Sequence, residues 1–171
     1  MQRIMVLGVS SGVGKSTFAK ELGRLLDIEV YHLDRFYWEP GWKEAALEDF
    51  RARQQEVIQE KAWIIEGNYS NTYDIRADKA DTIIYLELPL HVCLFRVFKR
   101  RFTYRGKTRA DMGEGCEEKL DADFLKFIWK TYHPRKGKMQ QRFQEFQNIG
   151  QQKDVIQLKS KKEIDTFLAR F

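Results

Sequence analysis

The ten residues Gly8-Val9-Ser10-Ser11-Gly12-Val13-Gly14-Lys15-Ser16-Thr17 bring glycines, one lysine and several hydroxyls into one short stretch. Glycine lets a backbone curl until several N–H groups converge on a point. A helix starting there adds unpaired N–H groups and the positive end of its dipole. A phosphate suits that geometry. Gly12, Val13, Gly14, Lys15, Ser16 and Thr17 are therefore the expected nucleotide-binding residues. Lys15 would reach the β- and γ-phosphates, Ser16 would set its hydroxyl on Mg²⁺, and Thr17 would lie near the α-phosphate. Such loops usually carry a glycine six residues before the lysine. That position is Val9, with Gly8 one residue earlier, so a differently shaped first turn is expected.

Two elements must position this stretch. Arg3-Ile4-Met5-Val6-Leu7 before it reads as a buried strand, and Phe18, Leu22, Leu25 and Leu26 after it lie on one helix face. A second strand is expected over Ile28, Val30 and Tyr31, ending near Asp34, and a third over Ala62-Trp63-Ile64-Ile65, ending at Glu66. A fourth covers 81–88 and a fifth Asp154 to Leu158. Helices are expected over 44–61, after Pro89, at Phe124 to Tyr132 stopping before Pro134, and at Met139 to Phe146. Ser160-Lys161-Lys162-Glu163 reads as a capping box opening the last helix. Alternating strands and helices imply an α/β fold with a parallel sheet, whose ligands gather at the carboxyl ends of the strands.

That rule singles out two acids. Asp34 is in the right neighbourhood to orient an acceptor hydroxyl, act as base or face the metal; the alternative is a helix cap or a solvated loop aspartate. Glu66, ending a buried strand downstream of a phosphate loop, has the position of a Walker B carboxylate holding Mg²⁺. Arg76 is the one cation between Ser70 and Asp81 near the third strand's end in sequence, and is the candidate for an acceptor phosphate. The aromatic run Phe36-Tyr37-Trp38 with Trp42 either stacks on a substrate or packs locally.

Residues 96–110 contain Arg96, Lys99, Arg100, Arg101, Arg105, Lys107 and Arg109 and no acid. Such a run is either a solvated face or a mobile lid whose arginines, Arg105 and Arg109, neutralise charge during phosphoryl transfer. A second basic cluster is Arg135, Lys136, Lys138 and Arg142.

A chain of 171 residues suits one domain with a full core, and no apolar run is long enough to span a bilayer. Cys93 and Cys116 have no metal-ligand spacing, and Cys93 falls on a helix's apolar stripe. The N-terminal apolar stretch leads straight into the glycine loop and does not read as a signal peptide, so a cytoplasmic location is expected. The net charge of +5 is compatible with nucleic acid and equally with a phosphorylated ligand.

Gly12-Val13-Gly14-Lys15-Ser16-Thr17, Tyr31-His32-Leu33-Asp34, Trp63-Ile64-Ile65-Glu66-Gly67-Asn68-Tyr69, Arg76, Arg109-Ala110-Asp111-Met112 and Gly115-Cys116 together resemble the nucleoside-monophosphate-kinase group of P-loop proteins. The match is closer to the bacterial adenylate-kinase-related proteins labelled DNA topology modulation proteins. The resemblance covers nearly the whole chain. It implies a single three-layer P-loop NTPase domain over 1–171, with strand order 2-3-1-4-5, helices on both faces and a basic lid inserted at about 100–118. It also implies ATP and Mg²⁺ as ligands. Glu66 stands where true adenylate kinases have aspartate, and Gly67-Asn68-Tyr69 replaces the Gly-Phe-Pro-Arg that helps those enzymes bind AMP.

The expected activity is transfer of the γ-phosphate of Mg-ATP to a nucleotide or other small acceptor, by a monomer or homodimer. The alternative is an ATP-dependent nucleic-acid-binding regulator affecting DNA topology, resting on the two basic clusters. No Asn-Lys-x-Asp element is present to read guanine, and no helix reads as a DNA recognition helix.

Overall fold

The computed structural model describes residues 1–118 and 120–171. Its centre is strand β1 (Arg3–Gly8), in which Ile4, Met5, Val6 and Leu7 are all fully buried. A continuous apolar run of this kind is what a parallel strand covered on both faces requires. Helix α1 (Lys15–Leu26) follows, then β2 (Val30–His32) and the short helix α2 (Leu33–Tyr37). A small antiparallel hairpin, β3 (Trp38–Glu39) and β4 (Lys43–Glu44), precedes α3 (Leu47–Val57). The chain continues through β5 (Trp63–Glu66), a 3₁₀ turn (Ser70–Thr72), α4 (Tyr73–Lys79), β6 (Thr82–Leu86) and α5 (Leu90–Thr103). It ends with α6 (Ala122–Gln147), β7 (Asp154–Leu158) and α7 (Lys161–Leu168).

Among the described residues the main sheet has five strands, all parallel, in the order β2-β5-β1-β6-β7. Numbered along the chain within this sheet alone, that is the expected 2-3-1-4-5. The register sets His32 of β2 and Val6 of β1 beside Glu66 of β5, so the ends of β2 and β5 lie level with each other, two residues short of the end of β1. Helices pack around the sheet: α1 meets α7 through Phe18 and Phe167, 6.0 Å apart, and α4 meets α6 through Tyr73 and Phe146, 5.5 Å apart.

Three elements differ from the sequence-based expectation. The helix expected over 44–61 is shorter, because Pro40-Gly41 closes the β3–β4 hairpin, with Gly41 and Trp42 both at positive φ and the Trp42 N–H donating to Glu39 O at 3.1 Å. Asp34 lies one residue into α2 rather than in a strand-end loop. Pro134 does not divide the region into two helices: α6 runs unbroken from Ala122 to Gln147. Proline removes one intrahelical hydrogen bond, but Pro134 and Lys130, whose carbonyl it leaves free, are both exposed to water. Ile128, Tyr132, Met139 and Phe146 bury the opposite side, and the Tyr132 hydroxyl donates to Leu88 O at 2.9 Å. Tertiary packing therefore outweighs the break. Asp121 and Ser160 cap α6 and α7 through backbone N–H groups of Phe124 and Glu163, and the capping box closes as expected.

Candidate functional site

The glycine loop joins β1 to α1. Val9 is fully buried and its N–H donates to Leu86 O at 2.9 Å, so the chain is still paired with β6 at this position. The loop proper therefore opens after Val9, which accounts for the displaced first glycine. Gly12 and Gly14 have φ of 80° and 104°, backbone that glycine tolerates. A Cβ on Gly12 would press into the Cys93 carbonyl of α5.

Helix α1 begins at this loop without a side-chain cap and without an acid in its first turn, unlike α6 and α7. Its first N–H groups are thus left for another acceptor, and its dipole favours an anion there. Lys15 lies alongside Gly8 and forms no ion pair with any described residue, so its ammonium is available. Ser10 Oγ is fully buried in the loop without a hydrogen-bond partner. Arg96 of α5 donates from Nη1 to Val13 O at 2.8 Å, bracing the loop from outside.

Ser16 Oγ donates to Glu66 Oε1 at 2.9 Å, and His32 Nδ1 lies 2.8 Å from the same oxygen. Hydroxyl and carboxylate are side by side, as a magnesium ion carried in by phosphates requires. Among the described residues no three His, Cys, Asp or Glu side chains form a metal site by themselves. The donor set fits an ion that keeps phosphate and water ligands.

The turn after β5 distributes three side chains. Glu66 goes to Ser16. Asn68 grips Gly8, accepting from its N–H at 3.0 Å and donating to its carbonyl at 2.6 Å. The Tyr69 hydroxyl donates to Asp34 Oδ1 at 2.7 Å. Burial, and then the neighbouring Glu66, push the Asp34 carboxyl above its ordinary value; the Tyr69 hydrogen bond, Lys15 and Arg109 pull it back in part. Burial also raises the Tyr69 phenol, which stays a donor.

Arg76 does not reach this space. It is fully buried, donates from Nη1 to Gly67 O at 3.0 Å and from Nη2 to Tyr69 O at 2.8 Å, and stacks over Tyr73. Burial lowers its pKa to about 10. Its expected place on an acceptor phosphate is corrected: it holds the turn that carries Glu66, Asn68 and Tyr69.

The two basic clusters are partly engaged within the molecule, while Lys99, Arg105, Lys107 and Lys138 are exposed. Glu118, just beyond the run, is buried and joins Arg100 Nε at 2.6 Å to Arg109 Nε at 2.8 Å. Arg109 Nη1 also pairs with Asp111 at 2.8 Å. Asp111 is buried, which would raise its carboxyl, yet the Arg109 charge and a hydrogen bond with Ser16 bring it below its ordinary value. Arg109 and Asp111 thus stand at the loop. Arg105 is exposed in the turn after α5 and joins none of these contacts. In the second cluster, Arg135 and Arg142 lie over Phe127 and Tyr73, and Lys136 pairs with Glu87 at 2.9 Å.

The segment after α5 rests on the hairpin: Cys116 Sγ donates to Glu39 O at 3.2 Å and Trp42 Nε1 to Glu117 O at 3.1 Å. Gly113 packs so tightly against Trp38 that a Cβ would meet its carbonyl oxygen. Gly113→Ala is expected to loosen this seam and speed limited proteolysis within 104–118; an unchanged cleavage rate would show that the contact does not hold the segment. The aromatics of the hairpin are used locally. Tyr37, Phe50 and Tyr69 pack ring to ring with centroids 4.7–5.1 Å apart.

Asn68, Tyr69, His32 and Asp111 were not singled out as site residues by composition or spacing. Their signal was membership of the segments that carry the resemblance, together with position at or just after strand ends or beside Arg109.

No family model and no curated protein matches the chain. Solved structures do. A sugar kinase from Janibacter sp. HTCC2649 superposes with a TM-score of 0.55 over 99% of this chain and 91% of its own, at 15% identity. Shikimate kinase from Acinetobacter baumannii gives 0.53 over 99% and 90%, at 16% identity. Deoxyadenosine kinase from M. mycoides, solved with dATP, gives 0.55 over 99% and 97%, at 15% identity. At such identities the likeness is one of architecture: the chain has the α/β fold of P-loop kinases.

Proposed function

We propose that the protein is an ATP-dependent phosphotransferase acting on a small molecule with a hydroxyl group. The observation that carries this reading is the pairing of an open, uncapped α1 N-terminus bearing an unpaired Lys15 with the half-buried carboxylate of Asp34 in the first turn of α2, just past the end of β2.

In this reading the loop N–H groups and Lys15 hold the β- and γ-phosphates. Ser16 and Glu66 would hold magnesium, which neutralises phosphate charge. Asp34 accepts the proton of the acceptor hydroxyl as its oxygen bonds to the γ-phosphorus, while the bond from that phosphorus to the β–γ bridging oxygen breaks and ADP leaves. Arg109, delivered by a lid formed from 104–118, faces the charge that spreads over the transferring group. The nucleic-acid reading draws less support, because Arg96, Arg100, Arg135, Lys136 and Arg142 are engaged within the chain. Turnover of Mg-ATP against nucleosides, nucleoside monophosphates and small metabolites tests the proposal. Acceptor-dependent ADP formation is expected; ATP binding with no transfer to any acceptor would overturn it.

The raised Asp34 pKa has two consequences. A base must be ionised, so kcat/KM is expected to fall as pH drops through a value above the ordinary aspartate pKa of about 4. Asp34 also holds its proton more tightly folded than unfolded, so its ionisation costs stability as pH rises past that ordinary value. Asp34→Asn is therefore expected to abolish transfer and raise the thermal midpoint, by roughly 2–4 °C for each kcal/mol recovered. An acid limb near 4, or a variant that retains transfer, contradicts the assignment of Asp34 as base.

A further inference from the structure

We infer that the face formed by α5 and α6 seats the protein on the surface of an anionic lipid bilayer.

Helix α5 is anchored from one side. Cys93 and Val97 are fully buried and meet the glycine loop at Gly12, and Arg96 reaches Val13 O. Phe95, Phe98 and Phe102, three and four residues apart, share another stripe of the same helix and are 67%, 42% and 80% exposed. Trp129 of α6 is 65% exposed. Between the two helices runs a groove of about 320 Å³, with Leu94 and Phe98 on one bank and Leu125, Lys126, Trp129 and Lys130 on the other. The four aromatic side chains leave about 500 Å² open, in the upper range for the largest apolar patch on a monomer, and patches of that size are often functional.

The surroundings of the patch are cationic. No Asp or Glu occurs from 88 to 110 or from 124 to 144. Lys99 lies on the α5 stripe between Phe95 and Phe102, and Lys130 follows Trp129 at the groove. Both lysines are exposed, and neither joins an ion pair among the described residues. Asp123, in the first turn of α6, pairs with Lys126 at 3.5 Å.

Charge, area and shape together select the bilayer. Unpaired lysines without a neighbouring acid call for an anionic partner. A second copy of this face would bring like charges together, and about 500 Å² falls short of the roughly 800 Å² per partner that a stable protein interface takes. Phe95 and Phe102 stand out from the convex surface of a helix. A folded protein needs a matching hollow to take them, whereas a fluid acyl layer closes around them. Phenylalanine and tryptophan enter the boundary between headgroups and acyl chains, while lysine stems let the ammonium groups stay among the lipid phosphates.

The test is co-sedimentation of the full chain with vesicles of phosphatidylcholine, alone or mixed with phosphatidylglycerol. Binding is expected to be roughly tenfold or more tighter on the anionic vesicles, and to weaken as salt rises. Phe95→Ser combined with Phe102→Ser is expected to cost roughly tenfold or more, and Lys99→Gln and Lys130→Gln roughly fivefold each. All four side chains are exposed, so the thermal midpoints should match wild type. Vesicles with brominated acyl chains are expected to quench tryptophan fluorescence in the wild type and not in Trp129→Phe, which keeps a ring at that position and still binds.

Absence of binding to anionic vesicles overturns the inference. So does binding that ignores the phenylalanine pair, which is adhesion by charge alone, or quenching that persists in Trp129→Phe, which puts another face on the membrane. A dimer in light scattering that Phe98→Ser dissociates assigns the face to a second copy. Capture of a helical peptide of glutamate and leucine, with no vesicle binding, assigns it to a protein. Either result also overturns the inference. No step of the test uses ATP, so it succeeds or fails apart from the phosphotransferase reading.

Discussion

Lys15→Ala is expected to lower phosphoryl transfer by roughly 10²–10³-fold or more while leaving the fold intact. The helix that follows is held by Phe18, Ala19 and Leu22, all buried, and Lys15 makes no ion pair whose loss would be felt elsewhere. Its side-chain stem runs beside Gly8 at the start of an uncapped helix, where a phosphate would become the ammonium's partner. The loss should fall mainly on kcat, because charge on the transferring group spreads in the transition state and the neighbouring N–H groups still hold the ground-state nucleotide. Circular dichroism and thermal melting check the fold; acceptor-dependent ADP release checks the rate. Transfer that survives at wild-type rate would sink the assignment of this loop as the nucleotide site.

Arg76→Ala is expected to have the opposite profile, a loss of stability of roughly 3–5 kcal/mol, out of the roughly 5–15 kcal/mol that typically separates folded from unfolded domains. Removing the guanidinium takes the Gly67 carbonyl's donor, at roughly 1–3 kcal/mol, leaves the Tyr69 carbonyl only its Thr72 donors, and opens a void against Tyr73 in the interior. Arg76→Lys keeps the charge but cannot span both carbonyls with one ammonium, so it should fall between wild type and alanine. Urea unfolding monitored by tryptophan fluorescence reads the change. If Arg76 were instead an acceptor ligand, alanine would leave the midpoint in place and raise only the KM of the acceptor. Because the same turn carries Glu66, Asn68 and Tyr69, activity should fall together with stability.

The lid run and the proline show why some features were not legible in the residues themselves. Seven cations without an acid between 96 and 110 suggest mutual repulsion, but Glu118 folds back on Arg100 and Arg109 and neutralises two of them. The seven residues between Ala110 and Glu118 put that carboxylate outside the run. Pro134 reads as a stop because local propensity disfavours it within a helix; one side of α6 is buried on either side of it, and packing overrules the local preference.

The sequence by itself determined the strand–loop–helix unit, the alternation that forces a parallel sheet, its strand order through the resemblance, and the acids at the strand ends. These rest on interactions between residues close in the chain, or on a pattern of apolar spacing that only one architecture buries. Tertiary structure alone decided partners. Ser16 meets Glu66 across 50 positions, Asn68 meets Gly8 across 60, and Arg96 meets Val13 across 83. The same holds for which arginines face the site. Arg76 and Arg109 look alike in sequence, but α4 carries the first into the interior, onto two carbonyls, and the segment after α5 carries the second back over the loop. A side chain's charge is written in the chain; what it faces depends on where the fold places residues tens of positions away.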